Sequence, residues 1–258
     1  MTWRRTLRGT RKTVVRLFFS AILALTVRAA AYRPFDSTDA DVAKPMEFEI
    51  EMGPVDYLGV GGTHWLVVPN LVLNLGFAPG WEAVIQGEQL LQLGPTGGQS
   101  RYALEDTQLL VKGVLREGCL QEKDGPSIAL ETGVLLPTVN ASPKNSSSGV
   151  GGIATFIVSL RADWLTVSLD ATVLGTSAGE FGWEGGAIFE GPYYWSIRPV
   201  TEVVVGHETT EGTTASLLLG AIWNVTADFS LDGAVRFGEQ GGQVLAEIRA
   251  GFTWSFPL

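Results

Sequence analysis

From Gln243 to Phe256 the chain alternates. Val244, Ala246, Ile248, Ala250, Phe252, Trp254 and Phe256 are apolar. Between them stand Gln243, Glu247, Arg249, Gly251, Thr253 and Ser255, polar or small, with Leu245 the one exception. A period of two puts the apolar set on one face of a strand and the polar set on the other. The stretch is long enough to cross a membrane as a tilted strand, which takes about 9–11 residues.

The same alternation recurs upstream, at 46–53, 64–77, 81–93, 105–117, 127–139, 153–161, 164–174, 182–190, 194–206, 213–223 and 227–237. Turn residues separate the segments, as in Ala78-Pro79-Gly80 and Gly191-Pro192. The pattern predicts an all-β fold: a transmembrane antiparallel up-and-down β-barrel of about 12 strands. The first strand gives the strongest reason. Glu47, Glu49 and Glu51 share one face opposite Met46, Phe48, Ile50 and Met52. Three carboxylates in a row do not belong in an apolar core, but the polar interior of a barrel tolerates them. Pro69 interrupts the second strand and predicts a bulge there.

Two further regularities separate a membrane barrel from the alternative, a secreted β-sandwich. Short and long joins alternate along the chain, the turn after the fourth strand excepted. The tryptophans after residue 31 fall near strand ends. Trp65, Trp81, Trp183, Trp195, Trp223 and Trp254, with Phe256, share the parity of the apolar face and predict an aromatic girdle; Trp164 does not share it. On the opposite face the predicted lumen-lining set is Glu47, Glu49, Glu51, Lys112, Arg116, Glu131, Asp170, Arg198, Glu202, Asp228, Asp232, Arg236, Glu247 and Arg249. Glu82, Glu88, Asp106 and Glu184 share that parity.

Charge divides the chain. Residues 1–31 carry seven basic side chains and no acid, then an apolar run from Leu17 to Val27 and Ala29-Ala30-Ala31. This reads as a cleaved signal peptide, 1–31. Setting those seven aside leaves 11 of the 18 basic residues against 27 acidic ones, a net charge of about −16. Such a surface excludes nucleic acid as a partner. Residues 32–45 lack periodicity and predict an extended arm; 46–258 is the barrel domain. The single cysteine, Cys119, has no internal disulfide partner and reads as a turn residue.

The segment Arg249-Ala250-Gly251-Phe252-Thr253-Trp254-Ser255-Phe256 resembles the C-terminal signal by which the bacterial barrel-insertion machinery recognises outer-membrane barrels, except that Pro257 and Leu258 follow the last aromatic. Arg33-Pro34-Phe35-Asp36-Ser37-Thr38-Asp39-Ala40, the Glu-rich Met46–Met52 strand and Leu136-Pro137-Thr138 resemble segments of the outer-membrane family named for the MetA pathway of phenol degradation. That resemblance implies an exported, outer-membrane transporter in contact with outer-membrane lipid.

The expected function is a passive channel or transporter for small molecules, hydrophobic or aromatic ones included. Twelve strands lie between barrels filled by side chains and barrels with open channels, so an open pore does not follow. One alternative is a barrel lipid hydrolase, for which His64 and His207 are the only histidines. Another is a structural or assembly barrel. No phosphate loop, dinucleotide glycine pattern or metal-spaced His/Cys cluster appears, so no cofactor, metal or catalytic residue is expected.

Overall fold

A computed structural model describes residues 33–95, 100–137 and 149–258, apart from the side chain of Asp106. The expected signal peptide and most of the polar loop after Leu136 lie outside these residues. The strands are β1 (Glu47–Gly53), β2 (Asp56–Val60), β3 (Thr63–Ala78), β4 (Trp81–Leu93), β5 (Tyr102–Arg116), β6 (Ser127–Leu135), β7 (Gly151–Ala162), β8 (Leu165–Thr176), β9 (Phe181–Glu190), β10 (Ile197–Glu208), β11 (Gly212–Asn224), β12 (Phe229–Gln240) and β13 (Gln243–Pro257). From β2 to β13 each strand pairs antiparallel with the next in the chain, and the ends of the sheet join each other.

Both β1 and β2 lie between β13 and β3. They are two halves of one stave, interrupted at Pro54 and Val55. Proline has no N–H to give the ladder, which accounts for the break. Counted by staves, the barrel has twelve strands and is closed, so no edge is left unpaired. β13 meets β1 from Glu47↔Pro257 to Met52↔Phe252, so the two termini of the barrel lie at one end, here the terminal end.

Parity decides which face each side chain takes. Ile85, Leu109, Phe156, Leu169, Leu217, Phe237 and Ile248 are exposed on the outside. Glu49, Glu51, Lys112, Glu202, Arg236, Glu247 and Arg249 are buried on the inside. An exposed apolar belt around a polar interior is the arrangement that lipid stabilises and water does not. The interior is not wholly polar. Leu218 and Ile222 on β11, and Val204 on β10, point inward and are buried.

Three sequence expectations are corrected, two because a local irregularity shifts the period of two and one because a strand begins later than expected. The register slips between Val67 and Asn70, around Pro69. Trp65 therefore packs inward against Val67, Leu90 and Ala103 and does not join the girdle. The register slips again between Val114 and Arg116. Arg116 is exposed at the strand end, where it donates to the carbonyls of Pro126 and Asp124, and it does not line the lumen. Asp228 precedes β12, whose first residue is Phe229, and is an exposed turn residue. Trp81, Trp164, Trp195, Trp223 and Trp254 are exposed near the terminal end, and Trp183 near the other.

Candidate functional site

The lumen of the barrel is the candidate site, and the arm, residues 33–45, lies inside it. The arm makes a circuit of the wall. Arg33 donates its N–H to Glu51 at 3.0 Å and sets its guanidinium 3.4 Å from Asp56 and 3.5 Å from Asp232. Asp36 and Ser37 donate backbone N–H groups to Glu202 at 3.0 and 2.7 Å. Thr38 donates to Asp170 at 2.9 Å, and Ala40 to the Ser159 hydroxyl at 3.0 Å. Ala43 donates to Glu82 at 2.7 Å. The chain then enters β1. Wall carboxylates thus accept the N–H groups of an arm that has no secondary structure to satisfy them.

Apolar contacts seat the same segment. Phe35 packs on buried Val200 and Ile222. Ala40, fully buried, packs on Leu120, Ala129 and Ile157. Leu120 comes from the short 3-10 turn Cys119–Gln121 between β5 and β6, and the Gln121 amide donates to the Ala40 carbonyl at 3.0 Å. Cys119 is a turn residue as expected, with its thiol 3.3 Å from the Ser159 carbonyl. Glycine makes room at Gly186, where a Cβ would fall on the Ser37 hydroxyl and the Asp170 carboxylate.

Four basic side chains of the wall, Arg236, Arg249, Lys112 and Arg198, are committed to acids. Arg236 pairs with Asp36 of the arm, with Glu202 at 2.6 Å and with Glu247 at 3.8 Å. Arg249 makes a bidentate pair with Glu247, both bonds 2.8 Å, reaches Asp36 at 2.7 Å and donates to the Pro34 carbonyl at 2.8 Å. Lys112, fully buried, stands 3.8 Å from both Asp39 and Glu82. Arg198 lies 3.4 Å from Glu190. Charges removed from water are tolerated only when paired in this way. Glu131 faces Lys112 across the β5–β6 ladder. Glu47, at the terminal rim, lies 3.7 Å from Lys44.

Of the residues predicted to line the lumen, Glu49, Glu51, Lys112, Glu131, Asp170, Arg198, Glu202, Asp232, Arg236, Glu247 and Arg249 take inward positions, and the arm ties several of them into one network. Arg33, Asp36, Asp39 and Asp56 were not among the expected site residues. The first three lie in a stretch without periodicity, and Asp56 follows the break in the first stave. Among the described residues the lumen offers no gathering of three or more His, Cys, Asp or Glu able to hold a metal ion. His64 bonds the Tyr57 hydroxyl at 2.7 Å, and His207 bonds the Thr213 hydroxyl at 3.2 Å. Both partners are on neighbouring positions of the wall, and neither is a serine.

No protein-family model and no curated protein sequence matches the chain. Solved structures do. A COG4313 outer membrane channel from Pseudomonas putida F1 superposes with a TM-score of 0.60 at 7% identity, covering 88% of this chain and 100% of that one. A KdgM porin superposes with a TM-score of 0.50 at 12% identity, covering 81% of this chain and 99% of that one. At these identities the likeness is one of fold: this chain has the fold of an outer-membrane β-barrel.

Proposed function

We propose that this protein is a passive channel for small molecules in the bacterial outer membrane, with its lumen narrowed by its own N-terminal arm. The observation that carries this reading is the closed barrel itself, apolar outside and charged inside, with a non-repetitive segment of the same chain laid across the interior. The arm is joined to the wall by hydrogen bonds and ion pairs and not by a strand ladder, so it can leave without breaking the barrel. On this reading, residues 1–31 direct export and the β13 segment is recognised during insertion. The fold names such as porin and outer membrane channel among its structural neighbours support the class, and the resemblance to the MetA-pathway family supports a transporter. The apolar cluster of Leu58, Trp65, Val67, Leu90 and Ala103, away from the terminal end, favours small hydrophobic or aromatic solutes.

Planar-bilayer recording of the refolded mature chain, beside a variant lacking residues 33–43, tests the proposal. The intact chain should give a small conductance and the shortened one a clearly larger one. If both are silent, or equal, the arm is not a plug and a structural barrel is the better description.

A further inference from the structure

The first stave of the wall is broken on both sides. β1 leaves β13 after Met52↔Phe252, and β2 rejoins it only at Tyr57↔Ile248. On the other side the ladder to β3 stops at Gly53↔Asn70 and resumes at Asp56↔Val67. Val68 and Pro69 have no ladder partner on β4 either, since pairing there passes from Val67↔Leu90 to Asn70↔Glu88. Pro54, Val55, Val68 and Pro69 thus form a patch of wall without a ladder, and its two prolines have no N–H to offer one. The patch lies within the lipid-facing band. On β13, exposed Trp254 stands on its terminal side and exposed Ile248 on the other, and Val55 itself is 53% exposed.

Interrupted backbone at membrane depth is stable only where protein or water serves its polar groups. Here Asp56 accepts the Ala250 N–H at 2.9 Å, where a ladder bond is missing. Gly53 and Gly251 leave the inner face of the break without side chains, and the Arg33 guanidinium fills that space: a Cβ at either glycine would fall on it. Asp56 and Asp232 hold the guanidinium in place. At this point the wall is backbone, closed on its inner side by one side chain of the arm.

We propose that the break is a side passage between lumen and membrane, closed by Arg33 and opened when the arm leaves, through which small apolar solutes enter the hydrocarbon of the outer membrane. The proposal rests on the channel reading for the departure of the arm and adds the route. Val67 and Leu58, beside the break, belong to the inward apolar cluster with Trp65, Leu90 and Ala103, so a solute held there is next to the opening. Onward travel along the lumen meets Glu49, Glu51, Glu82 and Lys112, all buried on the terminal half. An apolar solute gains nothing among those charges and gains transfer free energy in lipid.

The test is photolabelling in vesicles that contain a phospholipid with a diazirine on its acyl chain, read residue by residue by mass spectrometry. Such a chain reaches outward side chains everywhere and inward ones only through an opening in the wall. In the refolded mature chain, Ile248 should be labelled and Asp56 and Asp232 should not. In Arg33→Ala, and in the chain lacking residues 33–43, labelling of Asp56 and Asp232 should rise several-fold. Glu202, an inward carboxylate paired on both sides by unbroken ladders, is the control and should stay unlabelled in all three. Asp56 and Asp232 at the parent's level in both variants, or Glu202 labelled as strongly as they are, would overturn the passage. Should Arg33→Ala not refold, the shortened chain decides alone. The readout needs no conduction: a silent bilayer beside labelled Asp56 sinks the channel reading and keeps the opening, and a conducting chain with unlabelled Asp56 does the reverse.

Discussion

Ser37 donates its backbone N–H to Glu202 at 2.7 Å across 165 positions of sequence. The same carboxylate accepts from Arg236 at 2.6 Å. Glu202 therefore couples the arm to the wall and neutralises a buried guanidinium at once. Glu202→Gln keeps the volume and removes the charge. Breaking a buried pair from one side costs about 3–5 kcal/mol. The variant should unfold at lower urea concentration and carry more current than the parent, both read on refolded protein. A variant of parental stability would show that Asp36 and Glu247 suffice for Arg236.

Gly186 tests the arm without removing a charge. A side chain there would occupy the space of Ser37 and Asp170. Since β9 is a regular strand at this point, Gly186→Val suits the strand and conflicts with Ser37 of the arm and with the Asp170 carboxylate that holds the arm. The expected outcome is an intact barrel, with its heat-dependent gel mobility preserved, in which a protease added from either side now cuts within residues 33–45. Protection equal to the parent's would mean that the arm has another seat.

Asp41 gives the arm a pH dependence. Burial pushes its carboxyl up to about 6, and the neighbouring Asp39 pushes the same way; the Val42 N–H, the Gln121 amide and Lys112 oppose them. The folded state thus holds a proton that the unfolded chain, at 3.8, gives up. Its contribution to stability is full below about pH 3.8 and is lost as pH rises through about 6. The difference in unfolding midpoint between the parent and Asp41→Asn should change across that window and be flat above it. A constant difference from acid to neutral pH would rule out this titration.

Trp65 and Trp223 should answer differently to lipid. Trp223 is 49% exposed on the outer face near the terminal end, while Trp65 packs inside on Val67, Leu90 and Ala103. Single-tryptophan variants in vesicles of brominated lipid should show strong quenching of Trp223 and weak quenching of Trp65. Equal quenching would place Trp65 back on the outside.

Alternation by itself determined a great deal: that this chain folds as strands, which face of most strands meets lipid, and that Glu49, Glu51, Lys112, Glu202, Arg236 and Arg249 point inward. Those follow from local geometry, because successive side chains on an extended backbone point to opposite sides. The exceptions also had a local cause, though only Pro69 was visible as one. At Trp65 and Arg116 a slip of register exchanged the faces, and a slip belongs to a pair of strands and not to either sequence alone. The arm was beyond reach for a different reason. Residues 33–45 have no period, and their partners Glu202, Asp170 and Glu82 lie far along the chain. Only closure of the barrel brings those carboxylates around one space, and only then does a stretch of unpaired N–H groups and mixed charge have somewhere to bind.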